Sequence, residues 1–174
     1  MIATQIPLIT IIGKSGSGKT TLIEKLIQEL SQRGYRLAAV KHHSHAGFEV
    51  DTPGKDSWRF AQAGSQQVVI AAPDKFATYR KLDHELSLDE VAAEIRGVDL
   101  ILVEGYKRSN KPSIEIVRAE KGAELIGSPE QIVAVATDLP EEFDVPRFHL
   151  DDIQGIATFI EKNFLQPKVS HDIF

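Results

Sequence analysis

Gly13-Lys14-Ser15-Gly16-Ser17-Gly18-Lys19-Thr20 spells a complete G-x-x-x-x-G-K-[ST] phosphate-binding loop. The run before it, Ile6 to Ile12, is branched and apolar apart from Pro7 and Thr10, as a buried parallel strand requires. After it, Leu22, Ile23, Leu26, Ile27 and Leu30 recur at the three-four spacing of an amphipathic helix. Strand, loop and helix together are the context in which this motif works. Glycines let the backbone curl so that successive N–H groups aim at one anion, and the helix N-terminus adds its positive end. In such a loop Lys19 reaches the β- and γ-phosphates and the Thr20 hydroxyl ligates Mg²⁺. The expected ligand is a nucleoside triphosphate.

The flanking elements follow from the same logic. Gly34, after Gln32-Arg33, closes the first helix, and Arg36 to Val40 reads as a second strand. Thr52, Pro53 and Gly64 predict a helix from Pro53 to Ala63 with Thr52 as its cap. Gln67 to Ala71 and Phe76 to Leu82 read as a hairpin across Ala72-Pro73-Asp74. Ser87 and Glu90 form a capping box for a helix running to Ile95. Val98 to Val103, Ser113 to Arg118, Ile132 to Ala136 and Arg147 to Leu150 are further strands. Asp151 or Asp152 caps a last helix bearing Ile153, Ile156, Ala157, Ile160 and Phe164. The expectation is a three-layer α/β fold of the phosphate-loop NTPase type. Its sheet is mostly parallel, with some antiparallel strands and helices on both faces, and its chemistry lies at the carboxyl ends of the strands. Residues 1–165 read as one nucleotide-binding domain and residues 166–174 as a tail.

Composition narrows the class. With 174 residues and 42% hydrophobic content the chain supports one substantial core. A net charge of -5 argues against general affinity for nucleic acid or membranes, so an anion site must be local. Absence of cysteine excludes disulfides, thiolate metal ligands and a cysteine nucleophile together. No stretch has the length of a membrane span and no signal-like N-terminal segment stands out, so a soluble, cytoplasmic protein is expected.

Mg²⁺ needs oxygen ligands, and acids near Thr20 should complete its shell. Asp99 begins and Glu104 ends one strand, about 17 Å apart at strand rise. Because the phosphate loop also lies at a strand carboxyl end, geometry selects Glu104 and leaves Asp99 as a solvated acid on the far side. The Gly105 N–H is placed to sense the γ-phosphate. Asp51 is the other candidate ligand. No catalytic residue is assigned; Asp51 and Glu104 are the candidates for that role too. His42, His43 and His45 with Asp51 resemble a transition-metal cluster, or simply a polar strand end beside a phosphate site. Lys55, Asp56, Ser57 and Arg59 resemble a second oxyanion site, or an i,i+4 pair of cations on a solvated face.

Several blocks together resemble the molybdopterin-guanine dinucleotide biosynthesis protein B (MobB) family of phosphate-loop GTPases. They are the phosphate loop, Lys41-His42-His43-Ser44-His45, Asp51-Thr52-Pro53-Gly54-Lys55-Asp56-Ser57 with Arg59 and Ala63-Gly64, Leu102-Val103-Glu104-Gly105-Tyr106-Lys107 and Val135-Ala136-Thr137-Asp138. The resemblance implies GTP with Mg²⁺, slow hydrolysis and a homodimer. It also implies a partner nucleotidyltransferase that joins GMP to molybdopterin. The nucleotide-binding set is then Gly13, Ser15, Gly16, Ser17, Gly18, Lys19, Thr20, Thr21 and Asp138, with Asp138 reading guanine. One carboxylate accepts from both N1–H and the 2-amino group of guanine, and adenine offers neither pattern. On this reading the second site, His42, His43, His45, Lys55, Asp56, Ser57 and Arg59, faces the pterin phosphate or the partner. The chain departs from the usual Asn-Lys-x-Asp guanine motif, keeping only its Asp. Lys14 stands where the loops of dimeric phosphate-loop ATPases carry a lysine that reaches across a dimer; here it is read as solvated.

Three other readings use the same loop. A metal-insertion GTPase would employ the histidines. A small-molecule kinase would use Asp51 as base and Lys107-Arg108 on a lid. A pure adapter would bind nucleotide without turning it over.

Overall fold

The structure is a computed structural model that describes residues 6–43 and 47–165. His45 and the expected tail, 166–174, lie outside the described residues. The chain divides into two compact units: Met1–His42 with Ser87–Phe174, and His43–Leu86.

Six strands build the larger unit: β1 (Leu8–Gly13), β2 (Leu37–Lys41), β5 (Leu100–Glu104), β6 (Ser113–Val117), β7 (Ile132–Thr137) and β8 (Arg147–His149). They lie in the order β2-β5-β1-β6-β7-β8, and every neighbouring pair is parallel. Alternate residues Ile9 and Ile11, Leu100 and Leu102, Ile114 and Ile116, and Ala134 and Ala136 point to one face of the sheet. There they meet Leu22, Ile23, Leu26 and Leu30 of α1 (Lys19–Gln32) and Ile156, Ala157 and Ile160 of α4 (Ile153–Phe164). Each such Ile or Leu side chain taken out of water contributes roughly 1.5–3 kcal/mol. Ile101 and Val103 point the other way, onto Leu88 of α3 (Leu88–Ala93). The sheet is therefore covered on both sides, which is why its central strands read as unbroken apolar runs.

The caps agree with the sequence. Gly34 (φ 86) ends α1, its N–H donating to Ser31 O while Tyr35 N–H donates to Leu30 O, the double bond pattern that only a left-handed residue permits. Ser87 and Glu90 form the reciprocal box at α3. Asp152, rather than Asp151, caps α4 by accepting from Gly155 N–H at 2.9 Å.

The smaller unit holds α2 (Asp56–Gln62) and the antiparallel hairpin of β3 (Gln67–Ala71) and β4 (Phe76–Arg80). The helix is shorter than expected and Thr52 is not its cap. Gly54 turns the chain at φ 87, Lys55 N–H donates back to Thr52 O, and Lys55 itself is the cap residue. Strand β4 stops at Arg80 because its register partner there, Gln67, is the first residue of β3. No helix among the described residues is long and apolar enough to cross a membrane.

Candidate functional site

Strand order places the phosphate loop. Strand β1 runs in mid-sheet between β5 and β6, so the loop leaving Gly13 has the end of β5 on one side and the end of β6 on the other. Gly13 has no room for a side chain: a Cβ would stand 2.7 Å from both Ile116 O and Ser17 Oγ. Gly18 at φ 97 opens α1 in a conformation that side chains rarely adopt. Lys19 Nζ donates to Gly13 O at 3.1 Å and to Lys14 O at 3.0 Å, so its ammonium is held over the loop. Ser17 Oγ is buried there without a hydrogen-bond partner.

Thr20 and Glu104, chosen from sequence as magnesium ligands, are brought together. Thr20 Oγ1 donates to Glu104 Oε2 at 2.8 Å, and Lys41 Nζ lies 3.7 Å from Glu104 Oε1. The carboxylate is only 18% exposed. A hydroxyl and a carboxylate make an oxygen donor set, the kind a hard divalent cation takes while keeping several waters. The residues present fit Mg²⁺.

Other expectations are corrected. Gly105 N–H donates to Ile11 O at 3.2 Å and is committed to the sheet, so it is not presented to a phosphate. Asp99 does lie at the opposite end of β5 from Glu104, but it is not a solvated acid. It accepts from Arg36 N–H at 2.8 Å and from the Arg36 guanidinium at 3.2 Å, pinning the entry to β2. Lys14 is engaged too, donating to Lys121 O at 2.7 Å.

In the smaller unit, Asp51 and the residues proposed for a second anion site make local bonds. Asp51 accepts from Thr52 N–H at 2.7 Å and lies 2.8 Å from the Tyr79 hydroxyl, which donates to it. Hydrogen bonds from Ser57 and then Tyr79 hold its carboxyl below the ordinary range. Burial and the Asp51 contact push the Tyr79 phenol up. Arg59 pairs with Asp56 at 3.6 Å across one helical turn, and both are well exposed, as is Lys55. His42 stacks on Tyr106 with ring centroids 4.3 Å apart, whereas His43 faces Phe48 at 5.7 Å within the smaller unit. Among the described residues no group of three His, Asp or Glu side chains is arranged to hold a metal ion.

Asp138 follows β7, whose strand neighbour β6 is itself the neighbour of β1. Its Oδ1 accepts from Ala119 N–H at 2.8 Å, and its Oδ2 lies 3.8 Å from Arg118 Nη1. Sequence reading missed Arg118 and Lys121. They stand in and beside the 3-10 turn Ala119–Lys121, which touches the loop only because β6 lies beside β1. Chain order alone does not reveal that adjacency.

Comparison with known proteins shows the family and the fold. The family described as molybdopterin guanine dinucleotide synthesis protein B matches residues 8–138. The molybdopterin-guanine dinucleotide biosynthesis adapter protein of Haemophilus influenzae is 45% identical over 159 residues, 90% of this chain and 89% of that one. The Escherichia coli protein of the same name is 37% identical, over 90% of this chain and 93% of its own length. A crystal structure of molybdopterin-guanine biosynthesis protein B superimposes with a TM-score of 0.67 at 32% identity, covering 89% of this chain and 98% of the other. Bacillus subtilis MobB, at 24% identity, shares the fold with a TM-score of 0.73, over 93% and 99%.

Proposed function

The chain belongs to the molybdopterin guanine dinucleotide synthesis protein B family, and from that premise we propose that it is a GTP-binding adapter with slow GTPase activity in the making of molybdopterin guanine dinucleotide. Its partner on this reading is the nucleotidyltransferase that joins GMP to molybdopterin, and molybdopterin itself is a candidate ligand of the assembled pair. The observation that carries the nucleotide reading is the 2.8 Å contact of Thr20 with Glu104 beside a loop whose lysine is already held over it.

Each residue then has a task. Backbone N–H groups of the phosphate loop and the Lys19 ammonium bind the phosphates, and Thr20 and Glu104 supply oxygens toward Mg²⁺. Magnesium, when bound, neutralises charge on the β- and γ-phosphates. Asp138 receives the Watson–Crick edge of guanine. No glutamine is assigned to orient a water, so intrinsic turnover is slow and the bound nucleotide serves to organise the adapter. Dimerisation belongs to the same reading. It is supported by Phe48, Val50, Phe60, Val69, Ile70 and Phe76, all exposed in the smaller unit.

The test is calorimetric titration with Mg²⁺-GTP and Mg²⁺-ATP, followed by sedimentation with and without the transferase. Preferential GTP binding and a complex with the transferase support the reading. Equal affinity for the two nucleotides removes Asp138 as the base reader and takes away the guanine-specific role.

A further inference from the structure

One side chain reaches both the phosphate loop and the carboxylate expected to read the base. Arg118 Nε donates to Ser17 O at 3.2 Å, and Nη2 stands 3.3 Å from where a Cβ on Gly18 would lie. Its Nη1 lies 3.8 Å from Asp138 Oδ2. The following residue holds the other oxygen, Ala119 N–H donating to Asp138 Oδ1 at 2.8 Å. Arg118 also lines a cleft together with Gly18, Thr21, Lys25, Leu150 and Asp151.

A carboxylate recognises guanine only if both oxygens face the N1–H and 2-amino edge in one plane. It must also stand at a fixed distance from the phosphates, because the ribose and α-phosphate are of fixed length. Asp138 Oδ1 is anchored by a backbone N–H, which leaves rotation of the second oxygen to be restrained. Arg118 is the cation facing that oxygen, and its planar fork bonds the loop backbone with another of its arms. A lysine offers one compact charge and cannot span both partners in this way.

We propose that Arg118 is a positioning residue for the nucleoside half of the bound nucleotide, acting through Asp138. It sets the plane of that carboxylate and its separation from the phosphate loop. The inference rests on the nucleotide reading given above. It adds to that reading a residue whose effect is confined to base and ribose.

Three probes separate the possibilities: Mg²⁺-GTP, Mg²⁺-ATP and Mg²⁺-tripolyphosphate, the last having phosphates and no nucleoside. Each is titrated calorimetrically into the wild type, Arg118→Ala, Arg118→Lys, Asp138→Ala and the Arg118→Ala/Asp138→Ala double variant, with thermal melts confirming folding. Arg118→Ala is expected to weaken GTP roughly fivefold, the scale of a partly exposed ion pair, while tripolyphosphate and ATP change less than about twofold. Arg118→Lys falls between wild type and Arg118→Ala. In the Asp138→Ala background, removing Arg118 leaves GTP affinity unchanged, the non-additivity expected of groups that act as one. Equal loss for all three probes overturns the proposal, since Arg118 would then support only the phosphate loop. So does an undiminished effect in the double variant. A wild type that binds tripolyphosphate but shows no preference for GTP overturns the base reading by Asp138, and this proposal with it. One that binds none of the probes overturns the phosphate-loop assignment as well.

Discussion

Lys19 carries the first test at the level of single residues. Its ammonium donates to Gly13 O and Lys14 O, two carbonyls that also shape the loop. Lys19→Ala removes the counter-charge for the phosphates. A hydrogen bond to a charged group is worth about 1.5–3 kcal/mol, so Mg²⁺-GTP affinity should drop roughly tenfold to a hundredfold in calorimetry. Glu104 allows a finer cut. Glu104→Gln keeps an oxygen for the Thr20 hydroxyl, which donates to it at 2.8 Å, but removes the charge toward a divalent cation. If Glu104 serves the metal, GTP affinity measured in chelator should match the wild type, while the gain on adding Mg²⁺ should shrink. An undiminished gain would release Glu104 from that role. Both residues were legible in the sequence because their chemistry is local: a motif of fixed spacing for Lys19, and strand polarity for Glu104. Arg118 was not. Its partners, Ser17 and Asp138, lie 101 and 20 positions away and meet it only through the order of parallel strands.

Strand β6 shows what an element adds to these residues. Its segment is buried throughout, including Glu115, which is 1% exposed. That carboxylate accepts from Ile126 N–H at 2.7 Å and Gly127 N–H at 3.0 Å, tying the loop before β7 to mid-sheet. A Cβ at Gly127 would stand 2.7 Å from Ile12 Cδ1 and 3.0 Å from Ile132 Cγ1, so a larger residue there requires these side chains to shift. Glu115→Gln exchanges one acceptor for an amide NH₂ that faces a backbone donor. The expected cost is about 1–3 kcal/mol, read as a lowered denaturant midpoint with unchanged slope. An unshifted midpoint would mean the loop is held by other contacts. In the sequence, Glu115 was only one polar residue in an alternating run, and alternation predicts a half-exposed strand. Strands β1 and β7 flank β6 on both edges and the 126–127 segment lies over Glu115, so the carboxylate finds its donors inside the fold. The misplaced start of α2 has a similar origin. Thr52-Pro53 is a sound helix opening by composition, but the positive φ of Gly54 delays the helix to Asp56.

Across the larger unit as a whole, stability is fastened where α1 and α4 meet, at the far end of α1 from the phosphate loop. Arg33 donates to Glu29 at 2.8 Å, to Thr158 at 3.0 Å and to Glu161 at 3.0 Å, and the Tyr35 hydroxyl donates to Glu161 at 2.8 Å. The Tyr35 bond, opposed by partial burial and aided by Arg33, holds the Glu161 carboxyl below its ordinary value. Burial, and then the same carboxylate, pushes the Tyr35 phenol up to about 12. The two signs differ. A depressed carboxyl stabilises the fold above its unfolded value of 4.5 and loses that contribution as pH falls through the lower folded value. A raised phenol stabilises below its unfolded value of 10.0 and loses the contribution as pH climbs toward about 12. Melting temperature plotted against pH should therefore fall at both ends. Glu161→Gln should flatten the acid limb and Tyr35→Phe the alkaline limb, whatever either costs at neutral pH. Curves merely displaced in parallel would show that these groups do not set the pH response. Since the clasp is at the end of α1 remote from Thr20, Glu161→Gln should lower melting temperature without changing Mg²⁺-GTP affinity. A matching loss of affinity would mean that α1 transmits strain along its length to the nucleotide loop.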